Sequence, residues 1–410
     1  MKVLQVNCVF QKGSTGKIVN DIHTCLVSNG FESIVCYGRG NIISEKSIYK
    51  FCSETESKIH SLLFRIGVIL PYGGLPFATS RLLSIIKREN PDVVHLQCIN
   101  GSCVNIYRLL KHLGTHHIKT IVTHHAEFFY TGSCGHSFDC IQFTHLKGCS
   151  NCQNSKEATR CYTINRTNEA WCKMQKAFAH FNKSNLIFSA VSPWVKERSA
   201  LSEIVNKFPC EVVLNGIETS IFHRIKDNTS ILKQIPNCMA KIVLHVSASF
   251  DPANRNHIKG SWYVVEIAKR MPDTTFIIVA SHNNLINNLP NNIHIWGPAS
   301  SQNELASLYS LANVTLIASK RETFSMICAE SLCCGTPIIG FKAGGPETIA
   351  IPKYSEFVEY GNIENLYIAI IKMINCNIEK EWLASTAQKK YDKEVMTKGF
   401  IKLYNDILRQ

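Results

Sequence analysis

The chain lacks any long apolar run. Residues 58 to 90 hold apolar clusters, but these are cut by Arg65 and by Pro71-Tyr72-Gly73-Gly74, whereas a membrane-spanning helix needs about 20 continuous apolar residues. An amphipathic piece lying on a membrane surface, or a helix and loop packed on a core, fits this region instead. The first residues show no secretory leader pattern, since Lys2 is followed at once by the strand-like V-L-Q-V-N-C. The 18 cysteines are therefore expected as reduced thiols of a cytoplasmic chain and not as a disulfide framework. There is no Walker A loop either, because Gln11 stands where that motif needs glycine and Ile18 where it needs Ser or Thr. Acidic side chains are sparse in the first half: residues 1–200 hold 23 Lys and Arg against 12 Asp and Glu, and residues 201–410 hold 21 against 19. A basic half suits a surface that meets anionic lipid, a lipid-linked diphosphate or nucleic acid, and equally suits plain solubility.

What is present is alternation. At 410 residues and 45% hydrophobic content, the chain exceeds one compact core and has apolar residues enough for two. Strand and helix patterns alternate in both halves, which predicts doubly wound parallel sheets. The strand Asn313 to Ala318 is expected to be buried, with Ser319 to Phe324 emerging at its carboxyl end, where such sheets bind ligands. The next helix begins near Ser325 and turns its free N–H groups toward the same mouth, which suits a phosphate. Glu322 before that helix and Glu330 in its second turn then suit hydroxyls, such as those of a sugar or a ribose. Arg255 and Lys259, in the loop after the strand Ile242 to Val246, can reach a ligand at that mouth.

In the first half, the strand Val3 to Val9 runs through Gly13-Ser14-Thr15-Gly16-Lys17 into an amphipathic helix, Ile18 to Ser28. That pattern reads as a phosphate- or substrate-facing loop, or as an ordinary tight turn. The strand Ile118 to Thr123 ends in His124-His125, which points histidine toward the same mouth; a satisfied structural histidine is the other reading. Cys134, Cys140, Cys149 and Cys152 follow with spacing C-x5-C-x8-C-x2-C. Four soft ligands closed by a C-x2-C knuckle suggest a structural Zn²⁺ pinning the loop 131–153, against four plain reduced thiols. We divide the chain into a first domain 1–214, a linker 215–237, a second domain 238–390 and a C-terminal helical segment 391–410 that crosses back to the first.

Taken together, these residues resemble family 4 of the retaining glycosyltransferases, of GT-B fold, over nearly the whole chain. The resemblance rests on the Glu-x7-Glu pair Glu322 and Glu330, the turn Gly335-Thr336-Pro337, the loop Gly344-Gly345-Pro346-Glu347, Lys259-Gly260 and Asn215-Gly216-Ile217. The first half, with G-S-T-G-K and the cysteine block, is similar to the subgroup of colanic-acid, capsular and O-antigen polysaccharide synthesis. The resemblance implies two Rossmann-like domains facing an interdomain cleft and transfer of a hexose from a nucleotide-sugar donor to a lipid-linked glycan acceptor. It implies catalytic roles for Glu322, His124 and Lys259. Donor binding would fall to Gly13, Ser14, Thr15, Gly16, Arg255, Lys259, Glu322, Thr323, Phe324, Ser325, Glu330 and Gly345. No cofactor is expected for catalysis, as there is no Asp-x-Asp pair to hold a divalent ion. The chain departs from the family pattern at Ala248-Ser249, where a Gly-Arg pair is usual and Arg255 is the substitute candidate. It departs again at His124-His125 in place of His-Asp, and at Ser325 in place of glycine.

Two other readings stay open. One is another GT-B sugar-nucleotide enzyme such as an epimerase. The other is a zinc-stapled nucleic-acid-binding protein, although the chain lacks the interleaved aromatic and basic residues of a single-strand binder, so no nucleic-acid partner is expected. Peripheral contact with an anionic membrane at the cytoplasmic face belongs to the leading reading.

Overall fold

The computed structural model describes all residues except 75, 153–154, 160 and 284–288. The chain forms two compact units, Met1–Leu214 with Met396–Gln410, and Asn215–Val395.

The first unit holds a seven-stranded parallel sheet of β1 (Lys2–Val9), β2 (Glu32–Arg39), β3 (Ile48–Lys50), β4 (Val93–Leu96), β5 (Thr120–His124), β6 (Leu186–Ala190) and β7 (Cys210–Val212), in the order β3-β2-β1-β4-β5-β6-β7. Six consecutive residues of β1 are buried, as a strand covered on both faces requires. The helix Gly13–Ser28 turns Ile18, Val19, Ile22 and Leu26 inward as one stripe. The region 58 to 90, free of a membrane span, resolves into the helices Glu54–Arg65 and Pro76–Glu89. Among the described residues no helix is long and apolar enough to cross a membrane.

The second unit holds a six-stranded parallel sheet of β8 (Ile242–Phe250), β9 (Thr275–Asn283), β10 (Ile293–Gly297), β11 (Val314–Ile317), β12 (Ile338–Phe341) and β13 (Ser355–Val358), ordered β10-β9-β8-β11-β12-β13. In both sheets the strand order reverses beside the first strand, at β1/β4 and at β8/β11. A reversal of this kind opens a crevice at the carboxyl ends of the two central strands.

Residues 215–237, expected as a linker, belong to the second unit. Ile217 pairs with Asp392 there, and Glu218 forms an ion pair with Lys393. The C-terminal helical segment expected at 391–410 follows a break at Asp392, which separates the helices Lys380–Tyr391 and Lys393–Arg409. In the first unit Tyr404 Oη and His95 Nδ1 lie 2.8 Å apart, and His95 Nε2 lies 2.7 Å from Thr123 Oγ1.

The long loop after β5 is held by a buried charge. Glu127 is fully buried and accepts from Arg198 Nε at 3.0 Å and from Ser137 Oγ. The same guanidinium donates to Ser137 Oγ at 2.7 Å, Phe138 O at 2.9 Å and Cys140 O at 3.0 Å. Removing one partner of such a pair leaves an uncompensated buried charge. Arg198→Ala is expected to lower the stability of the first unit by about 3–5 kcal/mol, read by denaturant unfolding; a loss below about 1 kcal/mol would show that the loop has other staples.

The buried histidines give the first unit a pH dependence. Burial holds His124 down to about 3 and His125 down to about 4, from the usual 6.5. The unfolded chain therefore takes up protons as pH falls through 6.5 while the folded chain does not, so stability is full above about 6.5 and declines toward about 4. Denaturant midpoints at pH 7.5 and pH 4.5 should differ in that direction, and His125→Asn should flatten the difference.

Candidate functional site

The second unit brings Lys259 and Glu322 together at the β8/β11 crevice. Lys259 follows β8 and Glu322 follows β11, and Lys259 Nζ lies 2.6 Å from Glu322 Oε1 with both side chains partly exposed. Backbone geometry makes the meeting possible. Gly260 has φ +68° and so close an approach to Ala318 O that a Cβ would collide with it, and Lys320 N donates to Ile258 O at 2.8 Å. The lysine loop thus lies flat on the end of β11.

A second loop closes from the other side. Glu322 N donates to Ala343 O at 2.9 Å and Gly345 N donates to Glu322 O at 2.8 Å. A side chain on Gly345 would collide with Thr323 O. Glu347 accepts from Gly344 N at 2.8 Å and Ala343 N at 3.1 Å, so this carboxylate caps its own loop and is committed to structure.

The helix Met326–Cys333 starts at Ser325, whose Oγ accepts from Cys328 N at 3.3 Å. Ser325 has φ +76°, a conformation that favours glycine, so the strain at this serine, of order 1–3 kcal/mol, accompanies its cap. Glu330, in the second turn, accepts from the phenol of fully buried Tyr309 at 3.1 Å. Burial, then the Glu330 charge, pushes the Tyr309 phenol well up, so it stays a donor and fixes the carboxylate. Sequence reading missed Tyr309, whose place on the inward face of the helix Gln302–Leu311 is fixed only by packing.

Other expected residues sit differently. Thr323 and Phe324 are buried, and Phe324 packs edge-on to Tyr391 at 6.4 Å, which leaves their backbone and not their side chains for a ligand. Arg255 is exposed and stacks over the Trp262 ring at 4.4 Å, an arrangement governed by cation–π attraction and not by the Lys259–Glu322 pair. It does not stand in for the missing Gly-Arg pair in this arrangement. His257 instead occupies the lysine loop, 3.0 Å from Ser249 Oγ and 3.1 Å from Ser261 Oγ.

In the first unit, Gly13, Ser14, Thr15 and Gly16 are the first turn of a helix that begins at Gly13 and not a separate loop before Ile18. Gly13 and Ser14 are exposed, while Gly16 is buried against Val9. His124 is fully buried and stacks on Phe188 at 4.7 Å with Tyr130 edge-on at 5.3 Å. The strand period turns it into this aromatic packing, so it does not present a nitrogen at the strand end as expected. His125, its neighbour, lies 2.7 Å from Gln97 Oε1 through Nε2.

The cysteine block folds with Cys134 and Cys149 buried and all four thiols free of disulfides. The Cys134 thiol is pushed well up, first by its hydrogen bond with Cys152 and then by burial, and burial likewise pushes Cys149 up to about 12. Although the donor chemistry suits zinc, no three His, Cys, Asp or Glu side chains among the described residues gather to hold a metal ion. The Cys134, Cys149 and Cys152 thiols still lie close enough to interact with one another, and the Glu127–Arg198 network ties the same loop down through Phe138 O and Cys140 O.

Comparison with known proteins agrees with this architecture. Residues 270–390 match the family Glycosyl transferases group 1. The chain is 41% identical over 51 residues, 12% of each chain, to D-inositol 3-phosphate glycosyltransferase of Streptosporangium roseum. It is 22% identical over 213 residues to N-acetyl-alpha-D-glucosaminyl L-malate synthase of Bacillus anthracis, covering 48% of this chain and 54% of the relative. The matched stretches thus span about a tenth and about half of these relatives' lengths. Among solved structures, sucrose-phosphate synthase from Thermosynechococcus elongatus superposes with a TM-score of 0.68 at 14% identity over 100% of both chains. Anabaena HepE in complex with UDP gives 0.65 at 14% identity over 99% of this chain and 100% of that one. The two parallel-sheet units are therefore those of the GT-B fold, and the match to Glycosyl transferases group 1 lies within the second of them.

Proposed function

We propose that this protein is a retaining, nucleotide-sugar-dependent glycosyltransferase that moves a hexose onto a lipid-linked glycan in cell-surface polysaccharide synthesis, at the cytoplasmic face of the membrane. The observation that carries the reading is the Lys259–Glu322 pair at the strand-order reversal, beside the start of the helix Met326–Cys333. A cation and a helix N terminus suit a diphosphate, and a neighbouring carboxylate suits hydroxyls. Solved GT-B structures with UDP and with UDP-glucose support the choice of donor class.

In this reading Lys259 exchanges Glu322 for donor phosphate oxygens. Glu322, released, accepts from a hydroxyl of the sugar, and Glu330 accepts from the ribose while Tyr309 holds it in place. The sugar C1–O bond to the diphosphate breaks, and the acceptor oxygen bonds C1 on the same face. The acceptor proton passes to the departing phosphate oxygen, so no carboxylate nucleophile is required. The diphosphate charge that develops on departure falls to Lys259 and the helix N–H groups.

Lys259→Ala and Glu330→Ala should each lower transfer about 10²- to 10³-fold while the protein stays folded, measured as nucleotide release from a panel of nucleotide sugars. Full activity in either variant would overturn the assignment, and product formed without any acceptor would favour the epimerase reading. Tyr309→Phe tests the ribose contact separately. Thermal shift with nucleoside diphosphates and their 2′-deoxy counterparts should show wild type preferring the ribose form and the variant losing about tenfold of that preference; unchanged discrimination would place Glu330 elsewhere.

A further inference from the structure

The first unit carries a groove of about 700 Å³ between the helices Ile106–Thr115 and Thr167–Phe178. Its lining is cationic. Arg108 and Lys111 come from the first helix, Lys173 and Lys176 from the second, with Arg166 and His180 at the ends of the second. Glu169 binds Arg166 at 2.9 and 3.0 Å and lies 3.9 Å from Lys173, which offsets part of that charge. Arg108 donates to neutral partners, Pro76 O at 3.2 Å and Ser80 Oγ at 3.0 Å. Lys111 and Lys176 are exposed, and their ammonium groups have no hydrogen bond or ion pair among the described residues.

At Val68 the groove meets an apolar edge that faces water. Arg166 Nη1 donates to Gly67 O and Val68 O, both at 3.2 Å, fixing the turn that follows the helix Glu54–Arg65. Along this edge Leu62 is 60% exposed, Ile66 44% and Val68 59%. Tyr162 and Ile164 join them at 56% and 57% exposure. Tyr162 N donates to Arg65 O at 3.0 Å, and the open side of Gly67 faces Ile164, so the five side chains share one edge. Contiguous exposed apolar surface of this kind marks an interaction site.

A cationic groove bordered by aliphatic side chains matches the layering of a bilayer surface, with phosphates outermost and acyl chains beneath. Nucleic acid would be met by aromatic platforms among the cations, whereas Tyr107, which lines the groove, is tied to Pro71 O through its phenol and Tyr162 lies out on the apolar edge. We propose that the first unit docks on an anionic phospholipid bilayer through this face. Phosphate headgroups seat between the two helices, and Leu62, Ile66, Val68, Tyr162 and Ile164 enter the headgroup boundary. The proposal extends the lipid-linked acceptor reading, yet its readout requires no sugar transfer.

The test is flotation of the full chain with phosphatidylcholine vesicles, with and without 30 mol% phosphatidylglycerol (about one lipid in three, enough for a strong surface potential). Wild type should float with the anionic vesicles only, and less so as salt rises. Lys111→Ala/Lys176→Ala should reduce partitioning about thirtyfold, at roughly fivefold per lysine. Leu62→Ser/Val68→Ser should weaken binding without changing its salt dependence. Lys398→Ala/Lys402→Ala, exposed lysines of the last helix, should bind as wild type. Glu330→Ala should float normally even where it transfers no sugar, which separates this surface from the donor site. Equal flotation of wild type and both groove variants, or no flotation at all, would overturn the proposal. So would retention of an oligonucleotide, lost in the lysine variant, in place of vesicle binding.

Discussion

The crevice in the second unit depends on backbone approaches that leave no room for a Cβ at the end of β11. Gly260 lies on Ala318 O, Gly340 on Ile317 O and Gly345 on Thr323 O. Each lets a loop or strand settle directly on a carbonyl, and each would be forced apart by a methyl group. With all three in place, the loops carrying Lys259, Glu322 and Gly345 are held within hydrogen-bonding distance of one another. The charges are therefore positioned by the main chain, which has little freedom to lose on binding a ligand.

This arrangement assigns the three conspicuous carboxylates of the Gly-Gly-Pro-Glu and Glu-x7-Glu segments to different tasks. Glu347 satisfies the N–H groups of its own loop and is unavailable as a partner for anything else. Glu322 faces Lys259 across a contact that a diphosphate can replace without stranding either charge. Glu330 is backed by a buried phenol that has no other acceptor to serve. Strain at Ser325 sits at the head of the same helix, where the cap and the left-handed backbone oppose each other in energy. Local strain of this kind is tolerated because the surrounding hydrogen bonds over-determine the loop.

The first unit is stabilised differently. Its long loop after β5 is held by a buried carboxylate and one arginine, and Cys134 and Cys149 are buried within it. Three histidines, His95, His124 and His125, are held neutral by burial. Arg108, Lys111, Lys173 and Lys176 line the groove between two of its helices.

Periodicity determined a great deal of this protein. Buried runs such as Val93–Leu96 and Val314–Ile317 could only be parallel strands, and their spacing with helices dictated two doubly wound sheets, because apolar periods of 2 and 3.6 are local properties of the chain. The glycines and the Lys259, Glu322 and Glu330 positions were legible for the same reason, as turn residues and charges at strand ends. What tertiary structure alone decided was which side chain each element turns inward. His124 was drawn to an aromatic shell by one step of strand alternation, Arg255 to Trp262, and Tyr309 to Glu330, 21 positions further along the chain. The course of the cysteine loop likewise depends on Arg198, which holds the Cys140 carbonyl from 58 residues further along the chain. Contacts between residues so distant in sequence leave no local pattern to read, and that is where sequence reasoning reached its limit.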